Sequence, residues 1–388
     1  MSVSSSRQRP LIALDALLVN RTPTGVGRSI LELVRAMSSR SWDWDFLLLA
    51  SEPDLFAHLE EVPGWRVQVC PDAAGSTLRK ALFTQFQLPR ICRQEKVALL
   101  HSLQFVSPLI MPCPCVVTVH DLAWRRFPGT VEQPRLGYYR AVVPPTLNRA
   151  AAIVTNSQAT ASDTAALYPA TAGKISPTFF GTPSWVWSQA RNSMAPEERP
   201  FFLFVGTLEP RKNLENLLEA YEVFRALPQV AEMDPTSVPS LLFIGGKGWR
   251  DSKIQEMMAR LRAQGDLEIL DYCNTARLGQ SYQRAHALLF PSLHEGFGFP
   301  ILEAMAFGLP VLTSDRGAMA EVAGQNACLV NPEDMADLAN GMARIAFDGP
   351  LRERLSQAGP GWARQWSWER TADLTAGVYR RVIQGAAR

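Results

Sequence analysis

Short apolar runs alternate with amphipathic segments along most of the chain. Residues 201–205 and 288–290 are wholly apolar, and residues 116–119 are apolar apart from one threonine, which is typical of parallel strands buried on both faces. Segments such as Ser29 to Met37 instead repeat their apolar residues at helical spacing. This alternation of strands and helices predicts an α/β fold of doubly wound, parallel, Rossmann-like sheets.

The same alternation is found in both halves of the chain. A chain of 388 residues is longer than one hydrophobic core usually supports, and residues 184–200 interrupt the pattern like a linker. We therefore expect an N-terminal domain over residues 1–190, a C-terminal domain over residues 191–365 and a terminal helical segment over residues 366–388.

The stretch from Ala287 to Asp315 combines a glycine loop with two carboxylates. It reads as a strand, a loop over residues 292–299, a helix with Pro300 in its first turn, and a second strand. A glycine loop at a helix N-terminus offers free N–H groups and the positive end of the helix dipole to a phosphate. Because Glu295 and Glu303 can accept hydrogen bonds from sugar hydroxyls, the stretch indicates a sugar nucleotide. The alternative is a surface glutamate and a glutamate favoured by the helix dipole.

Two basic residues, Arg211 and Lys212, follow another strand and come just before a predicted helix. Cations at a helix N-terminus are unfavourable unless an anion is near. Their position therefore argues for bound phosphate, with two solvated side chains as the alternative. Asn213 is expected to cap this helix with its side chain.

The first half of the chain has two weaker candidates. Gly25 and Gly27 follow the first strand, but the dinucleotide fingerprint would need a third glycine where Ile30 stands, so the pair can equally mark a tight turn. His120 follows a buried strand, at the end of the sheet where open α/β folds bind ligands. A lone histidine there is more often structural than catalytic, and Asp121 is expected either to orient its imidazole or to cap the next segment.

The run HEGFGFPILEAMAFGLPV, residues 294–311, is similar to the signature of the retaining family 4 glycosyltransferases, which have the GT-B fold. The resemblance implies that Glu295 and the loop amides after it meet the donor sugar and diphosphate, while Glu303 binds the ribose. The string VGTLEPRKNL, residues 205–214, resembles the family's diphosphate clamp. Its basic pair would neutralise the leaving group.

The same resemblance extends to the first half of the chain, where the glycine pair would approach the diphosphate and the histidine would meet the donor sugar. The implied catalytic residues are His120, Arg211, Lys212 and Glu295. The implied donor-binding residues are Gly25, Gly27, Gly206, Gly296, Phe297, Gly298 and Glu303.

The fold and reaction follow from this resemblance as expectations. Two domains would face each other across a cleft, the acceptor on the first and the nucleotide sugar on the second, with the last helix crossing back to the first domain. Transfer would proceed with retention and without a metal or other cofactor, since no Asp-x-Asp site stands out and the basic pair would replace the metal.

The donor and acceptor are expected from the strings TPTGVGR and VTVHDLAW, which are similar to bacterial mannosyl- and rhamnosyltransferases of polysaccharide assembly. The expected reaction moves a hexose, mannose from GDP-mannose, onto a glycan or lipid-linked saccharide in polysaccharide or lipopolysaccharide biosynthesis. The alternatives are a UDP- or dTDP-sugar donor, a nucleotide-sugar epimerase or hydrolase, and a non-catalytic binding subunit.

Basic residues are concentrated in one part of a nearly neutral chain. The whole sequence has 39 basic and 37 acidic side chains, which gives no reason to expect nucleic acid as a partner. Residues 79–149 hold ten basic and three acidic side chains. The basic, amphipathic segment from Leu78 to Leu88, expected to end as a helix at Pro89, could contact an anionic membrane or pack on the domain core.

The remaining composition bears on location. The six cysteines show neither metal spacing nor a need for disulfides, and the N-terminus lacks an apolar signal core. No run approaches the roughly 18 apolar residues of a membrane span. We therefore expect a cytoplasmic protein, either free or peripheral on the inner face of the cytoplasmic membrane.

Overall fold

A computed structural model describes residues 9–71, 77–190, 199–246 and 252–386. These residues form two compact units. Unit 1 contains the described residues of Met1–Trp124, Val131–Gly181 and Trp368–Arg388, and unit 2 contains those of Arg125–Thr130 and Thr182–Ser367. The predicted linker over 184–200 and the predicted boundary after residue 190 fall partly on residues 191–198, outside the described residues, so the predicted domain boundaries stay predictions.

Each unit contains one sheet of short strands. The strands of unit 1 are β1 Leu11–Asp15, β2 Asp45–Ala50, β3 Trp65–Val69, β4 Leu99–Ser102, β5 Cys115–Val119, β6 Ala152–Thr155 and β7 Ile175–Pro177. The strands of unit 2 are β8 Phe201–Val205, β9 Ser240–Ile244, β10 Leu267–Leu270, β11 Ala287–Phe290, β12 Val311–Ser314 and β13 Cys328–Val330.

The α-helices of the described residues alternate with these strands along the chain. They are α1 Gly25–Ser38, α2 Thr77–Leu82, α3 Leu88–Gln94, α4 Ala123–Arg126, α5 Gln133–Arg149, α6 Gln158–Leu167, α7 Trp185–Gln189, α8 Leu214–Ala226, α9 Pro228–Ala231, α10 Ser252–Ala263, α11 Thr275–Arg284, α12 Phe299–Ala306, α13 Gly317–Ala323, α14 Met335–Phe347, α15 Gly349–Gln365 and α16 Trp368–Ala386.

Both sheets are parallel and have the same strand order. In unit 1 the order is β3-β2-β1-β4-β5-β6-β7, and in unit 2 it is β10-β9-β8-β11-β12-β13. Counted from the first strand of each unit, both contain the order 3-2-1-4-5-6 of doubly wound Rossmann sheets. Strands such as Ala287–Phe290 and Val311–Ser314 are buried along their whole length, which explains their continuous apolar runs. The predicted α/β class with two Rossmann-like parallel sheets is confirmed.

The final helix, α16, belongs to unit 1, as the GT-B resemblance implied. The Tyr379 hydroxyl, on α16, lies 2.6 Å from Nδ1 of His101 on β4, whose Nε2 lies 2.8 Å from the Thr118 hydroxyl on β5. Burial lowers the pKa of His101 to about 3, so a neutral imidazole fixes the helix to the sheet.

Two helices differ from their predicted bounds. α1 begins at Gly25 and not at Ser29, so the predicted glycine loop is the first helical turn. α3 continues past Pro89 because a π-turn over Phe83–Gln87 joins it to α2. Proline at the second position of α3 lacks an N–H that the start of a helix does not require. The predicted break at Pro89 is therefore wrong.

The described helices also bear on the membrane. No helix among residues 9–71, 77–190, 199–246 and 252–386 is long and apolar enough to cross a bilayer.

Candidate active site

The loops after β8 and β11 meet in unit 2 at the point where its strand order reverses. β8 and β11 are neighbours in the sheet, whereas the chain after β8 turns first to β9 on the other side. Ligands of doubly wound sheets bind at the carboxyl ends of strands at such a reversal. The backbone N–H of Leu293 donates to the Arg211 carbonyl at 2.8 Å, which ties the two loops together.

A buried ion cluster joins these loops. Nζ of Lys212 lies 2.5 Å from Oε1 of Glu295, and Nη1 of Arg211 lies 2.6 Å from Oε2 of the same carboxylate. Nε of Arg211 lies 2.6 Å from Oε1 of Glu209. Two cations and two carboxylates therefore balance one another, and Glu295 holds both predicted clamp residues through its two oxygens.

The charges of Arg211 and Lys212 determine the protonation state of Glu295. Burial alone would raise the pKa of Glu295, but the charges of Arg211 and Lys212 and their hydrogen bonds outweigh it and lower that pKa from 4.5 to about 2. Glu295 is therefore ionised at neutral pH. Arg211 and Lys212 were expected to need a bound anion, yet Glu209 and Glu295 already neutralise them.

The loop before α8 positions the cations by backbone conformation. Arg211 and Lys212 lie in the 3-10 turn Pro210–Lys212, and Asn213 adopts the left-handed conformation with φ 63°. Asn213 occupies the N-cap position of α8, but its side chain does not cap the helix. It donates instead to the Pro332 carbonyl at 2.6 Å. The expected capping hydrogen bond is therefore absent, because the amide anchors the turn to a neighbouring loop.

Gly206 lies beside the lysine side chain. Its φ is +154°, and a Cβ there would lie 3.4 Å from Cε of Lys212. The Lys212 ammonium also lies 4.8 Å from the centre of the Phe290 ring. The lysine side chain is therefore packed between a glycine and an aromatic face, which holds its charge beside Glu295.

Glu303 lies apart from the ion cluster on α12. It is 2 % exposed, and its Oε2 accepts a hydrogen bond from the Tyr282 hydroxyl at 2.7 Å. Tyr282 lies on α11 and stacks on Phe307 with ring centres 5.5 Å apart. The carboxylate is therefore held in one orientation by a buried phenol.

The loop Gly296–Gly298 leads into α12. Gly298 takes the N-cap position with φ 109°, where a side chain would be strained. Phe297 is buried, and its ring lies 5.6 Å from that of Trp366. This packing fixes the loop at the positive end of the α12 dipole.

The other predicted residues lie in unit 1. His120 follows β5, and its Nε2 lies 2.9 Å from the Leu103 carbonyl. Burial lowers the pKa of His120 below its ordinary value, so the imidazole is neutral at pH 7. Asp121 accepts a hydrogen bond from the backbone N–H of Ala123 at 3.0 Å. Of the two roles expected for Asp121, this bond corresponds to the cap of the next segment. Gly25 and Gly27 lie in the first turn of α1, which follows β1.

Sequence reasoning missed Glu209 and Tyr282. Glu209 stands two residues before the arginine that it neutralises, and a carboxylate so close to a predicted clamp was a usable signal. Tyr282 is 21 residues from Glu303 along the chain, and nothing in the local pattern connects the two.

Family models match both halves of the chain. Residues 23–177 match the model described as "Glycosyltransferase Family 4", and residues 186–362 match the model described as "Glycosyl transferases group 1". Each matched region contains most or all strands of the parallel sheet of one unit. The second match contains the ion cluster and Glu303.

Individual relatives agree with these models. The chain is similar to the O-antigen chain mannosyltransferase B of Escherichia coli, 28% identical over 295 residues, which are 74% of this chain and 75% of that protein. It is 29% identical over 198 residues to the serotype-specific mannosyltransferase WbdA of Escherichia coli, which are 49% of this chain and only 23% of that protein. The fold is similar to that of a sucrose-phosphate synthase from Thermosynechococcus elongatus, with a TM-score of 0.70, 19% identity, and 97% and 100% of the two chains covered.

Proposed function

Because the chain belongs to the glycosyltransferases, with a family 4 region followed by a group 1 region, we propose that it transfers mannose from GDP-mannose, with retention and without a metal, onto a glycan or lipid-linked saccharide in polysaccharide or lipopolysaccharide assembly. The observation that carries the reaction type is the cluster of Glu295, Arg211 and Lys212 at the strand-order reversal of unit 2. Mannose is supported by the two relatives that are named mannosyltransferases.

The cluster suits a reaction in which a diphosphate leaves. Negative charge grows on the leaving group in the transition state, and preorganised cations near it supply the main electrostatic stabilisation. Glu295 keeps Arg211 and Lys212 in place before the donor arrives. In the proposed complex the phosphates compete with Glu295 for the two cations, and the N–H groups at the start of α12 bind phosphate as well.

Glu295 has a second proposed role. A carboxylate has about four acceptor positions, so it can hold both cations and still accept a hydrogen bond from a hydroxyl of the donor sugar. Glu303 would accept hydrogen bonds from the ribose. Since Glu303 accepts a hydrogen bond from Tyr282, whereas Glu295 holds Arg211 and Lys212, we expect replacement of the two carboxylates to have different effects.

Roles in donor binding are also proposed for three residues of unit 1. The neutral imidazole of His120 would meet the donor sugar, and the first turn of α1, with Gly25 and Gly27, would offer backbone N–H groups to the diphosphate. The proposal assigns no enzymatic nucleophile, and the leaving phosphate would help to deprotonate the acceptor.

A peripheral membrane contact is supported by the segment that contains α2 and α3. Leu78, Leu82 and Phe86 are 68%, 50% and 60% exposed, and their spacing of four places them on one side of the helical segment. Phe83 and Leu88 are buried instead. Core packing, the alternative considered for this segment, therefore does not hold for the three exposed residues.

The exposed residues are interspersed with positive charge. Arg79 and Lys80 lie between Leu78 and Leu82, and Arg90 and Arg93 follow on α3. An apolar face with flanking cations suits the surface of an anionic bilayer. We expect the double variant Leu82→Ser with Phe86→Ser to sediment less with anionic vesicles than the native chain. Val223→Ser, which changes an exposed apolar residue of unit 2, is the matched control. Equal sedimentation of all three proteins would contradict a membrane contact through this segment.

The reaction is tested with a panel of donors. GDP-mannose, UDP-glucose, dTDP-rhamnose and a pool of lipid-linked saccharides are incubated with the protein, and the products are read by mass spectrometry. Gain of one hexose from GDP-mannose on an acceptor supports the proposal, and gain from another donor corrects its nucleotide. Turnover without an acceptor favours the epimerase or hydrolase alternative, and binding without turnover favours the non-catalytic subunit.

A further inference from the structure

Unit 1 has its own reversal of strand order, between β1 and β4. A cavity of about 150 Å³ is lined there by Leu17 and Gln104, from the loops that follow these two strands. Residues of α2 and α5 complete its wall. Such a reversal is where doubly wound sheets bind ligands, and none of the residues assigned to donor binding lines this cavity.

Two cations line the cavity, Lys80 from α2 and Arg135 from α5. Nε of Arg135 donates to the Tyr139 hydroxyl at 2.7 Å, so the guanidinium lies against a tyrosine. Within the part of the chain that the structure describes, neither cation has a carboxylate within ion-pair distance. Two such cations on one cavity wall favour an anionic ligand.

The rest of the wall combines apolar residues, among them Leu18 and Val106, with an amide and aromatic rings that are held in place. Nε2 of Gln104 donates to Oδ2 of Asp15 at 3.3 Å, and the carboxylate also accepts the Leu17 N–H at 3.2 Å. The Tyr139 ring lies edge-on to Phe105, with ring centres 4.9 Å apart. The amide and the aromatic ring are therefore held in place before a ligand arrives.

Burial of the Asp15 carboxylate is energetically unfavourable. It is 1% exposed, and burial raises its pKa from 3.8 to about 6. A buried carboxylate without a cation as partner destabilises the fold at neutral pH. Buried groups with shifted pKa values are concentrated at functional sites, but the negative charge of Asp15 at neutral pH disfavours an anion beside Gln104 and has to be outweighed by Lys80 and Arg135.

Residues of one helical segment, α2 and the π-turn after it, both line the cavity and form the exposed apolar face. Lys80, Ala81 and Thr84 line the cavity, whereas Leu78 and Leu82 are exposed. A molecule with a lipid tail and a phosphate could therefore meet both features at once. The cavity is smaller than the roughly 300 Å³ of a pocket for a whole small ligand, so it suits one phosphate-sized part of a larger molecule.

We propose that this cavity is the subsite for the phosphate of a lipid-linked saccharide acceptor. Lys80 and Arg135 bind the phosphate oxygens, Gln104 forms the polar wall, and the lipid continues along the apolar face of α2. The inference rests on the proposed function, since it names the chemical class of the acceptor and where its charged group is bound.

The test measures binding directly. Geranyl diphosphate is titrated calorimetrically into the full chain in the presence of saturating GDP and UDP, which occupy the donor site. We expect Lys80→Met and Arg135→Ala each to weaken binding about ten- to a hundredfold, as for the loss of a charged hydrogen bond. Arg135→Lys, which keeps the charge, should retain most of the affinity. Arg140→Ala, which removes an exposed cation of the same helix that does not line the cavity, is the matched control.

Each outcome decides the proposal. No binding by the native chain, or equal binding by the native chain, Lys80→Met and Arg135→Ala, would overturn it. Inorganic pyrophosphate is titrated in parallel, and affinity equal to that of geranyl diphosphate would overturn the assignment to a lipid-linked ligand in favour of a free phosphate. Binding of geranyl diphosphate that depends on these residues, together with no sugar transfer from any donor, would refute the proposed function and leave the phosphate subsite standing.

Discussion

Replacement of Glu295 by Gln separates the structural role of this residue from its role in transfer. The change keeps the size of the side chain but removes the charge that Arg211 and Lys212 share. Buried Lys212 and half-buried Arg211 then lose their common counter-ion. Breaking a buried pair in this way is strongly destabilising, by about 3–5 kcal/mol.

The pKa of Glu295 gives a similar magnitude. It is lowered from 4.5 to about 2, and each unit corresponds to about 1.4 kcal/mol, so the folded state gains about 3 kcal/mol from the ionised carboxylate. Because the folded-state pKa is lowered, this stability is present above pH 4.5 and lost as the pH falls towards 2. Glu295→Gln should therefore lower the unfolding temperature of unit 2 by roughly 6–12 °C at neutral pH.

Nucleotide should reverse this loss. In the Gln variant the two cations no longer have Glu295 as a competitor, so bare nucleoside diphosphate should bind at least as tightly as it does to the native chain. At a hundredfold excess over its Kd, the ligand stabilises by about 2.7 kcal/mol. At the same nucleotide concentration, we expect the thermal shift of the variant to be at least as large as that of the native chain, while its transfer rate is low because the sugar contact is lost.

Glu219→Gln is the matched control, because Glu219 pairs with Lys253 at 2.8 Å on the exposed face of α8. Loss of such a pair costs less than about 1 kcal/mol. An unchanged unfolding temperature of Glu295→Gln would refute the role of Glu295 as counter-ion. A loss of nucleotide affinity as large as that of Glu303→Gln would refute the division of roles between the two carboxylates.

Four further results are expected. Arg211→Ala and Lys212→Ala should each reduce the transfer rate by on the order of a hundredfold, about 3 kcal/mol, and near-normal steady-state rates in both variants would exclude a diphosphate clamp. Glu303→Gln should weaken calorimetric binding of nucleoside diphosphate by about 1–3 kcal/mol, and Tyr282→Phe should weaken it less; neither should change binding of a 2′,3′-dideoxynucleoside diphosphate if the ribose hydroxyls are what Glu303 binds. Because burial raises the pKa of Asp15 from 3.8 to about 6, the stability of its protonated form is complete below pH 3.8 and lost as the pH rises through 6. Asp15→Asn should therefore raise the denaturation free energy by about 3 kcal/mol at pH 8 and by much less at pH 4, and a gain that is the same at both pH values would contradict this sign. EDTA should leave transfer rates unchanged, whereas loss of activity that a divalent ion restores would show that the reaction needs a metal.

The sheets could be predicted because their strands carry an unambiguous signal. Ala287–Phe290 and Val311–Ser314 are buried on both faces, so every position along them is under the same apolar requirement. The loop and helix between them also follow from local rules, since Gly298 must adopt a positive φ and Pro300 fits the first helical turn.

Residue type alone gave a wrong prediction at Pro89 and at Asn213. Pro89 was expected to end a helix, but the π-turn before it lets the chain continue. Asn213 has the residue type of a cap, but its amide is used by the Pro332 carbonyl, 119 residues away in sequence. The face of Leu78 and Leu82 was open to two interpretations, because helical periodicity identifies an apolar face without showing what covers it.

The candidate site was predictable in its residues more than in its interactions. The motif spacing and the family resemblance identified Glu295, Arg211 and Lys212 as site residues. In the structure the three side chains form ion pairs with one another. The pairing of these charges could not be predicted, because they lie on two loops and the helix-dipole rule considers each loop separately. The cavity beside Gln104 was also missed, because its walls come from four segments that are distant in the sequence.

The stereochemistry of one sugar transfer shows whether the chain is a retaining mannosyltransferase. The native chain and the Lys212→Ala variant are incubated with GDP-α-mannose and a lipid-linked saccharide acceptor, and the new linkage is analysed by proton NMR. We expect an α-mannosidic product from the native chain and about a hundredfold less of it from the variant. A β-linked product, or equal rates for the two proteins, would contradict it.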